Sequence, residues 1–266
     1  MRRFDWQDPR VVRAAQLLLA AGFFGVWQIA AGRWIDPFYV SRPSDIAAAL
    51  GHEIVSAQFY DDLRVTGVEM LLGYGVGAAG GVVLGVALGR FAFVARLLDP
   101  FLVALNAVPR VALAPMLIVW LGIDMASKIF LAATLVFFIT FFNSLSGVRA
   151  VERGLCDVAR VQGASGWQIF AKVMLPGAAS WILTGLKMSL PFALVGVILG
   201  EFMVSSHGLG YRLNLYATSY NTAGAMAMIM IMMAITMLLG AGFDKLEAYL
   251  LRWRPPPAWV SAAPRI

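Results

Sequence analysis

Apolar residues in this chain come in long blocks separated by short clusters of charge and proline, not in the alternation of half-buried strands. A helix needs about 20 mostly apolar residues to cross roughly 30 Å of hydrocarbon. Six blocks meet that length, near 11–31, 66–89, 99–121, 127–147, 182–204 and 224–243. The first follows Arg2, Arg3, Arg10 and Arg13, as the core of a signal peptide would. Its apolar stretch exceeds the roughly 7–15 residues of such a core, so it is read as a retained span.

The segment 148–178, between the fourth and fifth spans, is too polar to enter a bilayer and too apolar to lie free in water. Leu155, Val158 and Ala159 share one helical face, and Arg153, Asp157 and Arg160 share another, at spacings that permit ion pairs. The stretch GASG (163–166) interrupts that helix. A second amphipathic piece carries Trp167, Phe170, Ala171 and Met174 on one side, and Pro176 is expected to stop it. In the loop 32–64, Ser44 or Asp45 caps a short helix. The tail 254–266 is proline-rich and expected to be unstructured.

Composition agrees with the spans. Hydrophobic residues make up 60% and charged residues 14%, with a mean hydropathy of +0.77. Soluble domains carry about 25% charged residues, so this chain is read as a membrane protein. Its net charge of +6 does not point to nucleic acid, because the basic residues punctuate the gaps between spans instead of forming a patch with interleaved aromatics. With the N-terminus inside, fourteen of the 21 lysines and arginines fall in cytoplasmic segments. Five (Arg33, Arg42, Arg64, Lys128 and Arg212) fall on the opposite side. That bias places both termini in the cytoplasm. Cys156 stands alone, and His52 and His207 form no metal-spaced cluster, so neither a disulfide nor a zinc site is expected.

Gly75-x-Gly77-x-x-Gly80, with Asp99 further on, has the spacing of a dinucleotide fingerprint, which needs a strand before it and a helix after it. A different period fits better. Gly73, Gly77, Gly81, Gly85 and Gly89 recur every four residues and line one helix face for close packing.

An ionisable group inside a span costs roughly 2.5–3.5 kcal/mol on insertion scales and usually faces a bundle interior or water. Asn106, Pro109, Arg110 and Pro115 interrupt the third span, predicting a kinked helix. Arg110 either lines a pathway and attracts an anion or snorkels to the inner interface. Asn143 and Ser144 are read as helix-to-helix hydrogen bonders before path lining. Lys187 either snorkels to the inner headgroups or adds positive potential to a path, and Glu69 is placed at the interface. The methionine run at 225–237 is read as packing or lipid-facing surface, since a copper path would add His or Cys.

Asp157-Val158-Ala159, then Gly163, then Val173-x-Leu175-Pro176 resembles the "EAA" loop of permease subunits in binding-protein-dependent ABC importers. Asp157 stands where that pattern has Glu, and Val158 where it has the first Ala. SRPSDIAAAL (41–50), LLDPFLVALNAVPRVALAPMLIVWLGI (97–123) and LTGLKMSLPFALVGVILGEF (183–202) resemble the nitrate/sulfonate/taurine branch. Glu201 resembles a recurrent acid of the family, pairing with a basic residue or shaping the outer mouth.

The resemblance implies an all-α membrane protein with six transmembrane helices in the type I ABC importer permease fold, residues 1–266 forming one domain. It implies cytoplasmic coupling helices in 148–178 that dock on an ATPase through Leu155, Asp157, Val158, Ala159, Gly163, Trp167, Phe170, Leu175 and Pro176. The path would involve Asn106, Arg110, Asn143, Lys187 and Glu201. The chain has no Gly-x4-Gly-Lys-Ser/Thr phosphate loop, so ATP and Mg belong to a partner and no cofactor sits on this chain. The implied partners are two ATPase subunits, a second permease copy, an external solute-binding protein and the lipid bilayer. Nitrate, sulfonates, taurine, bicarbonate and nitrogen heterocycles all fit the branch.

An ion-coupled secondary transporter or channel is the rival reading. It would bury carboxylates mid-membrane, and the spans offer only Glu69 and Glu201, both near span ends. A membrane enzyme lacks any His/Cys/carboxylate constellation.

Overall fold

A computed structural model describes residues 9–253. Arg2, Arg3 and the tail 254–266 lie outside the described residues. The described chain is helical, with one isolated bridge between Ala31 and Ile35. In order, the helices are α1 (Pro9–Ala30), α2 (Pro43–Ile54), α3 (Ala57–Arg90), α4 (Ala92–Ala107), α5 (Ala114–Leu121) and α6 (Met125–Arg149). There follow α7 (Arg153–Val161), α8 (Gly166–Ile169), α9 (Leu175–Val204), α10 (Leu209–Thr218) and α11 (Thr222–Leu250).

The core is a three-helix slab with α6 in the middle. Ala132, Val136, Thr140, Ser144 and Val148 recur every four residues on α6 and are all buried. This ridge seats in the glycine face of α3. A Cβ on Gly77 would stand 2.4 Å from the Ala133 carbonyl oxygen, and one on Gly81 would stand 2.0 Å from Thr140 Oγ1. Gly75, by contrast, faces open space. The four-residue period is therefore a packing device, and the fingerprint spacing is incidental. On the other side of α6, α9 uses the same device: a Cβ on Gly196 would stand 2.6 Å from Ala132 Cα. Close approach of backbones is how helices gain van der Waals contact where lipid offers no hydrophobic drive.

Among the described residues five helices are long and apolar enough to cross a membrane, six if a broken pair is counted as one span. That pair, Phe93–Ala107 and Arg110–Leu121, is bent by 71°. The third span is thus a broken segment, not the kinked helix predicted for 99–121. Val108, held extended before Pro109, ends α4, and a 3-10 turn at Arg110–Leu113 leads into α5.

Pro176 does not stop its helix. Gly166–Val204 runs as one 39-residue helix, with a π-helical stretch at Phe170–Met174 immediately before the proline. A proline ring collides with the carbonyl four residues back in a regular α-helix, and a π turn widens the coil at that point. The methionine run lies on α11, where Met228 and Met232 enter the core while Met233 and Met237 stay exposed.

Candidate functional site

Two regions concentrate the chemistry, at opposite ends of the slab. The first is α7–α8. Gly163, at φ +83°, donates to the Arg160 carbonyl at 3.0 Å, and Ala164 donates to that of Ala159 at 3.0 Å. This pair of bonds around a left-handed glycine is a Schellman stop. Two residues later Ser165 opens the next helix with a capping box: Ser165 Oγ accepts from the Gln168 amide, and Gln168 Oε1 accepts from the Ser165 amide at 2.8 Å. The Ser165-x-x-Gln168 spacing was readable in the sequence and marks where α8 starts.

Both sides of helix α7 are open: the Asp157 and Arg160 side chains are 63% and 66% exposed, and the half-buried positions, Cys156 and Ala159, lie between the charged and apolar sides. Arg153, Cys156, Asp157 and Arg160 line a groove against the bundle, and Asp157 pairs with Arg160 at 2.5 Å. Leu155 and Val158 point the other way and are 55% and 58% exposed. Trp167 is exposed too, while Phe170 is half-buried beneath the Arg90 guanidinium, 5.2 Å from its ring centre. Arg90 also donates to the Gly166 carbonyl at 3.1 Å, tying α8 to the end of α3. Ala159 is half-buried, and Leu175 and Pro176 lie in the continuous helix beyond the π turn.

The second region is a buried polar joint at the far end of the bundle. Glu69, expected at the interface, is fully buried on α3 and pairs at 3.0 Å with Lys128 in the first turn of α6. Lys128 Nζ also donates to Ser205 Oγ at 3.0 Å. The N-terminus of α10 is held by three side chains from other helices. The Gly208 amide donates to Asp62 Oδ1 at 2.7 Å, Leu209 to Thr66 Oγ1 at 2.8 Å, and Gly210 to Glu201 Oε2 at 2.6 Å. Thr66 in turn donates to Glu201 Oε1 at 2.6 Å. Unpaired helix amides favour carboxylates, and here the protein supplies them itself.

Gly208, at φ +107°, is irreplaceable there, because a Cβ would fall 2.2 Å from Glu201 Oε1. Arg212 of α10, read as a loop cation from sequence, is buried between Glu53 at 3.0 Å and Asp62 at 3.4 Å. Tyr216 donates to Glu53, and its hydroxyl is pushed up to about 12 by burial and by the neighbouring carboxylate.

The remaining candidates do not converge on one path within the chain. Arg110 folds back on its own segment. Its guanidinium donates to Asn106 Oδ1 at 2.9 Å and the Asn106 carbonyl at 3.1 Å, and lies 4.0 Å from the Phe138 ring centre. It thereby satisfies carbonyls freed by the break at Pro109. Asn143 Nδ2 bonds the Ile139 carbonyl of its own helix, not a neighbour, and packs under Gly185. Lys187 pairs with Asp244 of α11. Glu201 belongs to the joint. Burial of Glu69 and Glu201 is what an ion-coupled transporter would show, yet both are engaged by fixed neighbours.

Residues 81–253 match the family described as binding-protein-dependent transport system inner membrane component. The chain is 33% identical to the putative aliphatic sulfonates transport permease protein SsuC of Bacillus subtilis (strain 168), covering 95% of this chain and 90% of that one. It is 30% identical to the formylaminopyrimidine transport permease protein ThiX of Halalkalibacterium halodurans, over 86% of this chain and 91% of that one. It is 27% identical to the taurine transport system permease protein TauC of Escherichia coli (strain K12), over 95% and 94%. In structure it resembles a chain of the MetNI methionine ABC transporter in an inward-facing conformation, with a TM-score of 0.58 and 20% identity over 71% of this chain and 93% of that one.

Proposed function

Because this chain belongs to the binding-protein-dependent transport system inner membrane components, the permease subunits of ABC importers, we propose that α7 and α8 are its coupling element. The outward face of Leu155 and Val158 carries the proposal. A short amphipathic helix that leaves its apolar side uncovered suits a partner protein, and here the partner is a cytoplasmic ATPase. Trp167 adds an aromatic anchor of the kind that dominates interface energy.

The helix from Gly166 to Val204 is the transmission. Its first turns sit beside the docking face, and its last turn carries Glu201, which grips α10 at the opposite end. Movement of α8 on ATPase closure thereby reaches the far joint through one continuous element. In this reading both termini are cytoplasmic, α2 and α10 face an external binding protein, and the importer holds two copies of this chain and two ATPases. ATP and Mg are handled by the ATPases.

The substrate is a small organic anion, a sulfonate or taurine. Support comes from relatives named for aliphatic sulfonates and taurine that align over most of the chain. The test is reconstitution of the permease with its ATPase and binding protein in liposomes. Alkanesulfonate or taurine should stimulate ATP hydrolysis and enter the lumen. Stimulation by a formylated pyrimidine with no response to sulfonates would contradict the substrate assignment and leave the coupling role standing.

A further inference from the structure

The groove behind α7 has a charge pattern that the coupling role does not use. It runs between the α3–α4 corner, the end of α6 and the charged side of α7, with a volume of about 1290 Å³. Five arginines line it: Arg90, Arg96, Arg149, Arg153 and Arg160. Against them stand Asp99, 3.9 Å from Arg149, and Asp157, 2.5 Å from Arg160. Five positive and two negative charges leave an excess of three in the lining.

Its depth is set by the spans. Arg90 and Arg149 are the last residues of α3 and α6, where the apolar stretches end. The groove therefore opens at the level of lipid headgroups, and Phe91, Val148, Ile169 and Met174 give it an apolar wall. Basic recesses between spans on the cytoplasmic side suit anionic headgroups, and guanidinium forks match phosphate geometry.

We propose that this groove binds the phosphate of an anionic phospholipid, whose acyl chains leave along the apolar wall into the bilayer. A lipid fits better than a soluble protein surface, because the basic lining at the ends of α3 and α6 adjoins an apolar wall that acyl chains can follow. A lipid there braces α7 against α3 and α6 while leaving its docking face open.

The intact permease complex, purified in mild detergent, would be titrated with dioleoyl-phosphatidylglycerol and with dioleoyl-phosphatidylcholine and read by native mass spectrometry. Wild type should retain phosphatidylglycerol at least about tenfold better. Arg149→Gln/Arg153→Gln should lose most of that preference, while Arg64→Gln, at the other end of the bundle, keeps it. Arg149→Lys/Arg153→Lys should retain part of it, which ties the loss to charge and not to folding. Equal retention of the two lipids by wild type, or an undiminished preference in the glutamine pair, overturns the proposal. Displacement of the lipid by millimolar inorganic phosphate assigns the groove to a soluble anion instead. A glutamine pair that keeps its lipid but sheds the ATPase assigns it to the ATPase.

Discussion

Lys128 and Glu69 meet at 3.0 Å between α6 and α3, with both side chains shut away from solvent. Each charge is tolerable there only because of the other. Removing one partner of such a pair costs about 3–5 kcal/mol, whereas replacing both with apolar residues is close to neutral. Lys128→Met should therefore lower thermal stability in detergent sharply, and Glu69→Leu/Lys128→Met should recover most of the loss. A double variant as unstable as the single one would mean that Lys128 acts through Ser205 alone.

The glycine face of α3 gives a second contrast. Gly77→Ala places a methyl 2.4 Å from the Ala133 carbonyl and should force α3 and α6 apart, costing about 1–3 kcal/mol. Gly75→Ala meets open space and should be neutral, or stabilising by up to about 1 kcal/mol through helix propensity. Unfolding of the two variants, followed by circular dichroism, checks the difference.

Gly163→Ala puts a side chain into a left-handed position, at a cost of about 1–2 kcal/mol. The slab does not depend on that turn, so the variant should stay folded in detergent. The angle between α7 and α8 should change, and with it ATPase retention. Melting temperature and ATPase co-purification, measured on one preparation, separate the two effects.

Tyr216 offers a pH test outside the spans. Its folded-state value near 12 lies above the ordinary 10, so the neutral phenol is favoured by folding. That contribution is whole below about pH 10 and fades as pH rises towards 12, where ionisation would set a phenolate beside Glu53. Wild type should lose stability across that window, and Tyr216→Phe should show a shallower loss. Difference ultraviolet spectra of the two proteins would show the late-ionising tyrosine directly.

Much of the fold was legible because apolar block length and a four-residue glycine period are strong signals. The two faces of α7 were also written in the sequence. The third span misled because its prolines predict a kink, whereas the break needed Val108 extended and Arg110 folded back onto Asn106. Pro176 misled because a π turn ahead of it carries no compositional mark.

The buried joint was missed for a different reason. Glu69, Lys128 and Arg212 sit near span ends, where charge is usually interfacial. A signal was present nonetheless. Asp62, Thr66 and Glu69 continue the line of Gly73 and Gly77 on α3 at helical spacing, so a face read as tightly packed had to bury them.

The central claim is that α7 presents its apolar side to an ATPase. The most direct measurement replaces Val158 with Asp on that side and, separately, the exposed Arg64 with Gln at the other end of the bundle. Each permease is purified with its ATPase, and the stoichiometry and substrate-stimulated hydrolysis are compared. Val158→Asp should lose the ATPase and the stimulation while the permease stays folded, and Arg64→Gln should keep both. A Val158→Asp complex with its full complement of ATPase and normal stimulation would contradict the account.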